Sequence, residues 1–144
     1  MGLHGDGPGT ILVAVDGTDT SMRAGAYAAG LARRQHAQLV CLYVRVPSAL
    51  GGMNIGLAAP LRQTQDEMAR EIRDTVTAGM QRIGLEVTFL ERAGSPVAEI
   101  ARVADELHAD AVVVGASTQA GHRFVGSIAA HLVRIARWPV TVVP

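Results

Sequence analysis

The chain of 144 residues carries 13 arginines, no lysine and 13 acidic side chains, so its formal net charge is zero. That balance offers no basic surface for nucleic acid or an acidic membrane, and the missing lysine excludes a P-loop lysine, a Schiff base and a lysine nucleophile. Apolar residues make up 49% of the sequence, enough for one domain whose core needs no metal or disulfide.

No apolar run reaches the length of a membrane span, and the amino terminus lacks the basic-then-apolar pattern of a secretion signal. Cys41, the single cysteine, sits in the apolar run QLVCLYVRV and reads as an inert buried thiol. A reducing cytoplasm is the expected compartment.

Residues 1–9 (MGLHGDGPG) read as a flexible arm in which His4 is solvated, and residues 10–144 as the domain. Thr10 to Val15 has the continuous apolar character of a central parallel strand. It runs into Asp16-Gly17-Thr18-Asp19-Thr20-Ser21, a turn of helix-capping residues, with a helix from Thr20 or Ser21 to Gln35. Its alanines and Leu31 supply the packing face. Gln38 to Val46 is a second buried strand.

Ser48 to Pro60 reads as a flexible connection, followed by a helix from Leu61 to Ile83. That helix presents Leu61, Met68, Ile72, Val76, Met80 and Ile83 as its apolar stripe and stops at Gly84. Glu86 to Glu91 is a third strand, with Val87, Phe89 and Leu90 candidates for burial. Ser95 and Pro96 then supply a helix cap and a first-turn proline. The helix they open buries Val97, Ile100, Val103, Ala104 and Leu107.

Ala111 to Val114 is the fourth strand, Gly115 to Gly126 a glycine-rich loop, and a helix starts at about Ser127. Ile128, Leu132 and Ile135 form its core stripe, and Val140 to Val143 closes the chain as a strand. Alternating strands and helices require right-handed crossovers and a parallel sheet with helices on both faces. Ligands of such sheets sit beyond the carboxyl ends of the strands, where Asp16, Arg45 and Gly115 all fall.

A β-branched strand that opens into a glycine loop and then a helix can present backbone amides to an anion. Gly115, Gly126 and Ser127 are accordingly candidates for a phosphate cradle, against the plainer reading of a short connection with a serine cap. Asp16 either positions a ribose or a metal-bound phosphate, or fixes its own turn. His122 and His131 have no partner at metal-ligand spacing.

The runs VAVDGTDTS, LYVRVP, GSPVAEIARVADELHADAVVVGAS and PVTVVP together resemble the universal stress protein family over almost the whole chain. The resemblance implies a single doubly wound, Rossmann-like α/β domain with a five-stranded parallel sheet of order 3-2-1-4-5. It implies a dimeric stress-response protein that binds ATP or a related adenine nucleotide, with or without magnesium. Carried over by position, Val15 and Asp16 lie near the ribose and adenine, and Val44 meets the adenine edge through its backbone. Gly115, Ser117, Thr118, Arg123, Gly126 and Ser127 lie along the phosphates. Arg123 either pairs with phosphate or remains a solvated loop arginine.

One departure matters. The family's ATP-binding pattern is Gly, two residues, Gly, nine residues, Gly, then Ser or Thr. Here the second glycine position holds Thr118, and only seven residues, Gln119 to Val125, separate it from Gly126. The shorter loop wraps fewer phosphates. Two alternatives follow: a cyclic-nucleotide binder (cyclic AMP or cyclic di-AMP), or a dimeric interaction module with no small ligand. No residue stands out as a general base for attack on a phosphoanhydride, so binding is expected rather than catalysis. Relatives pair the last strand with its twin, which makes Val140, Thr141, Val142 and Val143 the expected homodimer interface. No nucleic acid or membrane partner is expected.

Overall fold

Thr10–Val15 (β1) is the centre of the molecule, and its apolar run is explained by neighbours on every side. The computed structural model describes residues 9–47, 55–117 and 125–144. β1 pairs in parallel with Gln38–Arg45 (β2) from Thr10 opposite Gln38 to Val15 opposite Tyr43. On its other side it pairs with Ala111–Gly115 (β4). Val87–Ala93 (β3) lies outside β2, and Val140–Val143 (β5) outside β4, so the parallel sheet has the order β3-β2-β1-β4-β5.

Among the described residues four helices cover the two faces: Asp19–Gln35 (α1), Ile55–Arg82 (α2), Pro96–Glu106 (α3) and Ser127–Ile135 (α4). Side chains alternate across each strand. Ile11, Val13 and Val15 pack under α1 and α2, against Ala24, Ala28, Ala32, Ile72, Val76 and Met80. Leu12, Val40, Leu42 and Val112 pack on the opposite face, against Ile100, Val103, Ala129 and Leu132 of α3 and α4. Small residues on α1 let it lie close above the central strand. Burial pushes the Cys41 thiol up to about 12, which makes it unreactive.

Asp110 clamps the amino end of the sheet. Its Oδ2 accepts hydrogen bonds from Gly9 N at 2.8 Å and Thr10 N at 2.9 Å. Gly9 also accepts from Gln38 N, so it is fastened to the sheet, while the rest of the expected arm, residues 1–8, lies outside the described residues. No described helix is long and apolar enough to cross a membrane.

Several boundaries differ from the sequence reading. α2 begins at Ile55 rather than Leu61 and holds Pro60 inside it. Proline near a helix start removes one donor, and the helix formers Leu57, Ala58, Ala59 and Leu61 carry the turns through. Thr64 Oγ1 donates to the Pro60 carbonyl at 3.0 Å. The buried stripe of α2 is Ala69, Ile72, Val76 and Met80, whereas Met68 is 49% exposed and Ile83 40% exposed. Ala69 admits closer contact with the sheet than methionine would. On β3, Val87 and Phe89 join the α1/α2 face and Leu90 the opposite one, as alternation requires.

The first turn of α1 presses against the end of β4. A Cβ on Gly115 would lie 2.6 Å from the Thr20 carbonyl carbon and 2.7 Å from Ser21 N, both backbone atoms that cannot swing aside. Gly115→Ala is therefore expected to lower stability by about 1–3 kcal/mol. Gly79, in α2, has nothing within 4 Å of an added Cβ, so Gly79→Ala should raise stability by about 0.4–1 kcal/mol. Thermal denaturation of both variants checks the pair, and an unchanged melting temperature for Gly115→Ala would mean that the seat of α1 on β4 is not tight.

Candidate functional site

The chain turns to opposite faces after β1 and β4, since α1 covers one face and α4 the other. Their carboxyl ends therefore part and leave a crevice at the switch point of the sheet. It holds about 350 Å³, within the range of small-molecule sites. Val15, Val44 and Val114, from the strand ends, make its floor apolar. Pro96 and Ile100 of α3 and Ile128 of α4 form a second apolar wall.

Asp16 stands at the mouth, where β1 turns into α1. Its Oδ1 accepts from Thr18 N at 2.9 Å and from Thr18 Oγ1 at 2.6 Å. Gly17 between them takes φ +88°, a left-handed turn that glycine adopts without steric cost. Ser21 N donates to Thr18 Oγ1, Ser21 Oγ donates to Thr18 O, and Asp16 N donates to Ser21 Oγ. α1 is thus capped by its own residues.

Burial alone would raise the Asp16 carboxyl. Hydrogen bonds from Thr18, from Ser21 and from its own backbone outweigh that and hold it below its ordinary 3.8.

The start of α4 is built differently. Its N-cap is Gly126, which has no side chain to offer, and its first ladder bond runs from Ala130 N to Gly126 O. The amides of Ser127, Ile128 and Ala129 precede that bond and carry the positive end of the helix dipole. Gly126 and Ser127 both line the crevice. A Cβ on Gly126 would come within 2.9 Å of Ser117 Cβ, so glycine lets the start of α4 pass close to the end of β4. His131 Nδ1 lies 2.8 Å from Ser127 O and turns back along its own helix.

The structure brings together Val15, Asp16, Val44, Gly115, Ser117, Gly126 and Ser127 around one crevice. Thr118, Arg123 and His122 lie outside the described residues. Arg45 reaches the same end of the sheet but does not line the crevice. It bridges Asp66 of α2 and Glu91 of β3, the latter at 3.0 Å, because it points to the α2 side of β2.

Thr20 was expected as a helix cap, yet it is buried and its Oγ1 donates to the Ala116 carbonyl at 2.7 Å, tying α1 to β4. Ser95 occupies the N-cap of α3 through its backbone, without a side-chain hydrogen bond.

Ile128, assigned to the core stripe of α4, is 36% exposed and lines the crevice; Ala129 and Leu132 take the core face. Sequence reasoning also missed Val46, Pro96 and Ile100 as lining residues. The available signal was topological: helices that follow strands begin at the carboxyl end of the sheet. Among the described residues no three metal-ligating side chains are gathered.

β5 lies at the sheet edge, with Val140 to Val143 all half-buried. Val140 and Val142 pack toward α3 and α4, and Val143 toward α1.

A doubly wound parallel sheet with a switch-point crevice ending on a helix amino terminus defines a Rossmann-like α/β protein. The universal stress protein family model matches residues 8–144, and the chain belongs to that family. A universal stress protein of Methanocaldococcus jannaschii is 26% identical over 136 residues, covering 92% of this chain and 80% of that protein. The universal stress protein UspA from Lactobacillus plantarum superposes with a TM-score of 0.80 at 29% identity, covering 94% of this chain and 97% of the other. A universal stress protein solved in complex with cAMP superposes with a TM-score of 0.66 at 27% identity, covering 96% and 98%.

Because the Asp16 carboxyl is lower in the folded state than in the unfolded one, its stabilisation is complete above about pH 3.8. It is lost as pH falls through the folded value. Urea denaturation of the wild type and Asp16→Asn from about pH 6 to about pH 2 should show a constant stability gap at the upper end that narrows at the lower. A gap independent of pH would show that charge on Asp16 does not hold the turn.

Proposed function

We propose that this universal stress protein binds an adenine nucleotide in the switch-point crevice. It acts in the cytoplasm as a dimeric, ligand-responsive protein without efficient catalysis. The observation that carries the reading is the pairing of an apolar slot with the start of α4, whose first amides have no side-chain cap. Val15, Val44 and Ile128 suit the flat face of a base. The amides after Gly126, with the hydroxyls of Ser117 and Ser127, suit phosphate oxygens without any lysine. Asp16, ionised and with Oδ1 already engaged by Thr18, suits a ribose hydroxyl through its other oxygen. That a relative was solved in complex with cAMP supports an adenine nucleotide as the class of ligand.

Asp16 is the one ionisable side chain among the described lining residues, and its hydrogen bonds keep it a weak base. That supports binding over turnover. The homodimer rests on β5, a short apolar strand at the sheet edge whose outer edge needs cover.

Calorimetric titration with adenine nucleotides, with and without magnesium, is expected to give saturable binding. Ile128→Asp places a negative charge in the first turn of α4, which favours the helix but opposes a phosphate. It should weaken nucleotide binding about tenfold or more while leaving the melting temperature equal or higher. No saturable binding by the wild type would leave the ligand-free interaction module as the function. For the assembly, light scattering at micromolar protein should give twice the chain mass, and Val142→Arg should give the chain mass. A wild-type monomer would exclude the β5 dimer.

A further inference from the structure

α2 is longer than the sheet it covers. Its buried side chains begin at Ala69, and from Gly56 to Met68 every residue is half-buried or exposed. Two ties mark where it leaves the sheet: Asp66 pairs with Arg45, the last residue of β2, and Gln65 Nε2 donates to the Val46 carbonyl at 3.3 Å. The helix before Gln65, from Ile55 to Thr64, therefore runs about 15 Å past the carboxyl end of β2. Val46 lines the crevice, so the face of α2 that carries Gln65 is turned to the crevice rim. Leu61 and Leu57 follow on that face, one and two turns further out. Neither lines the crevice, and Leu57 is 46% exposed.

Two features that bend helices meet in this overhang. Pro60 lacks the N–H that an interior helix residue donates, and the Thr64 hydroxyl donates to the Pro60 carbonyl at 3.0 Å. We propose that the overhang is a strap. It bends at Pro60–Thr64, above the ties at Gln65 and Asp66, and lays Leu57 and Leu61 on a ligand held in the crevice. The strap rests on the reading of the crevice as an adenine-nucleotide site. A base resting on Val15 and Val44 keeps its outer side in water, and the two leucines give that side apolar cover. Bending costs little packing, because no side chain between Leu57 and Thr64 is buried. Occupancy of the crevice supplies the difference in contact between straight and bent forms that a population shift requires.

The test uses the full chain with AMP or ATP as the probe. Cys41 is buried and unreactive, so nitroxide labels go selectively to an Ala59→Cys, Val133→Cys pair, both exposed positions, one on the strap and one on α4. The distance between the labels, read by pulsed electron resonance, should shorten by several ångström at saturating nucleotide. Calorimetry reads the affinity. Leu57→Gln should weaken binding about fivefold at an unchanged melting temperature, although Leu57 lies outside the crevice lining. Pro60→Ala stiffens the helix, so it should raise the melting temperature, weaken binding about threefold and reduce the shortening. Nucleotide binding with an unchanged label distance, or Leu57→Gln binding as tightly as the wild type, overturns the strap and leaves the nucleotide reading in place. If neither nucleotide binds the wild type, the nucleotide reading fails and the strap falls with it.

Discussion

The contact on which this structure depends is the seating of the first turn of α1 on the end of β4. Two features allow it: Gly115 has no Cβ to strike the Thr20–Ser21 backbone, and the buried Thr20 hydroxyl donates to the Ala116 carbonyl. Either alone would be weak. Contact without the hydrogen bond would bury a carbonyl at the cost of its hydration, about 1–3 kcal/mol. A side chain at Gly115 would push the hydroxyl out of reach. Together they fix α1 over β1 and β4, and this accounts for the run of alanines beneath the helix, since larger side chains would lift it from the sheet.

That seating also gives the two helix starts at the crevice different electrical characters. In the tight turn from Asp16 to Ser21, Thr18 Oγ1 caps Ser21 N and is itself tied to Asp16, so this end has a side-chain cap and carries a carboxylate. The start of α4 has a glycine where a capping side chain would stand, because Ser117 already fills the adjacent space. The crevice therefore has an anionic corner and an amide-lined corner separated by apolar strand ends. Arg45 does not disturb this arrangement. Its ion pairs with Asp66 and Glu91 fasten α2 to the outer strands, and because they are partly exposed their value lies in position more than in energy.

The sheet was legible in the sequence because central parallel strands buried on both faces must be continuous apolar runs, as β1, β2 and β4 are, and these with two shorter edge strands separated by helical segments leave few topologies. That Gly115, Gly126 and Ser127 come together at the crevice was legible because glycine at a strand end, and again at a helix start, marks backbone that must be approached closely. Side-chain direction was not legible. Arg45 and Val44 are adjacent in a strand, and only the pleat decides that Val44 faces the crevice and Arg45 faces α2. Ile128 fits the spacing of a core stripe, yet at the first turn of a helix that stripe runs off the core into open space. Pro60 was read as a boundary because the missing donor is visible in sequence, whereas the turns that tolerate it are not.

Ala116 shows how closely the crevice and the sheet edge are joined. Its carbonyl accepts from Thr20, and its amide donates to the Val143 carbonyl at 2.8 Å. The peptide group after Ala116 is thus held from the α1 side, and the one before it is held by the last residue of β5. Ala116 also lines the crevice, directly after Gly115 and before Ser117. The strand that forms the edge of the sheet and the floor on which a ligand would rest are therefore linked through a single residue's backbone. Because that backbone is hydrogen bonded on both sides, β5 cannot shift along β4 without breaking its bond to Ala116 or dragging the Ala116 amide, and with it the crevice floor.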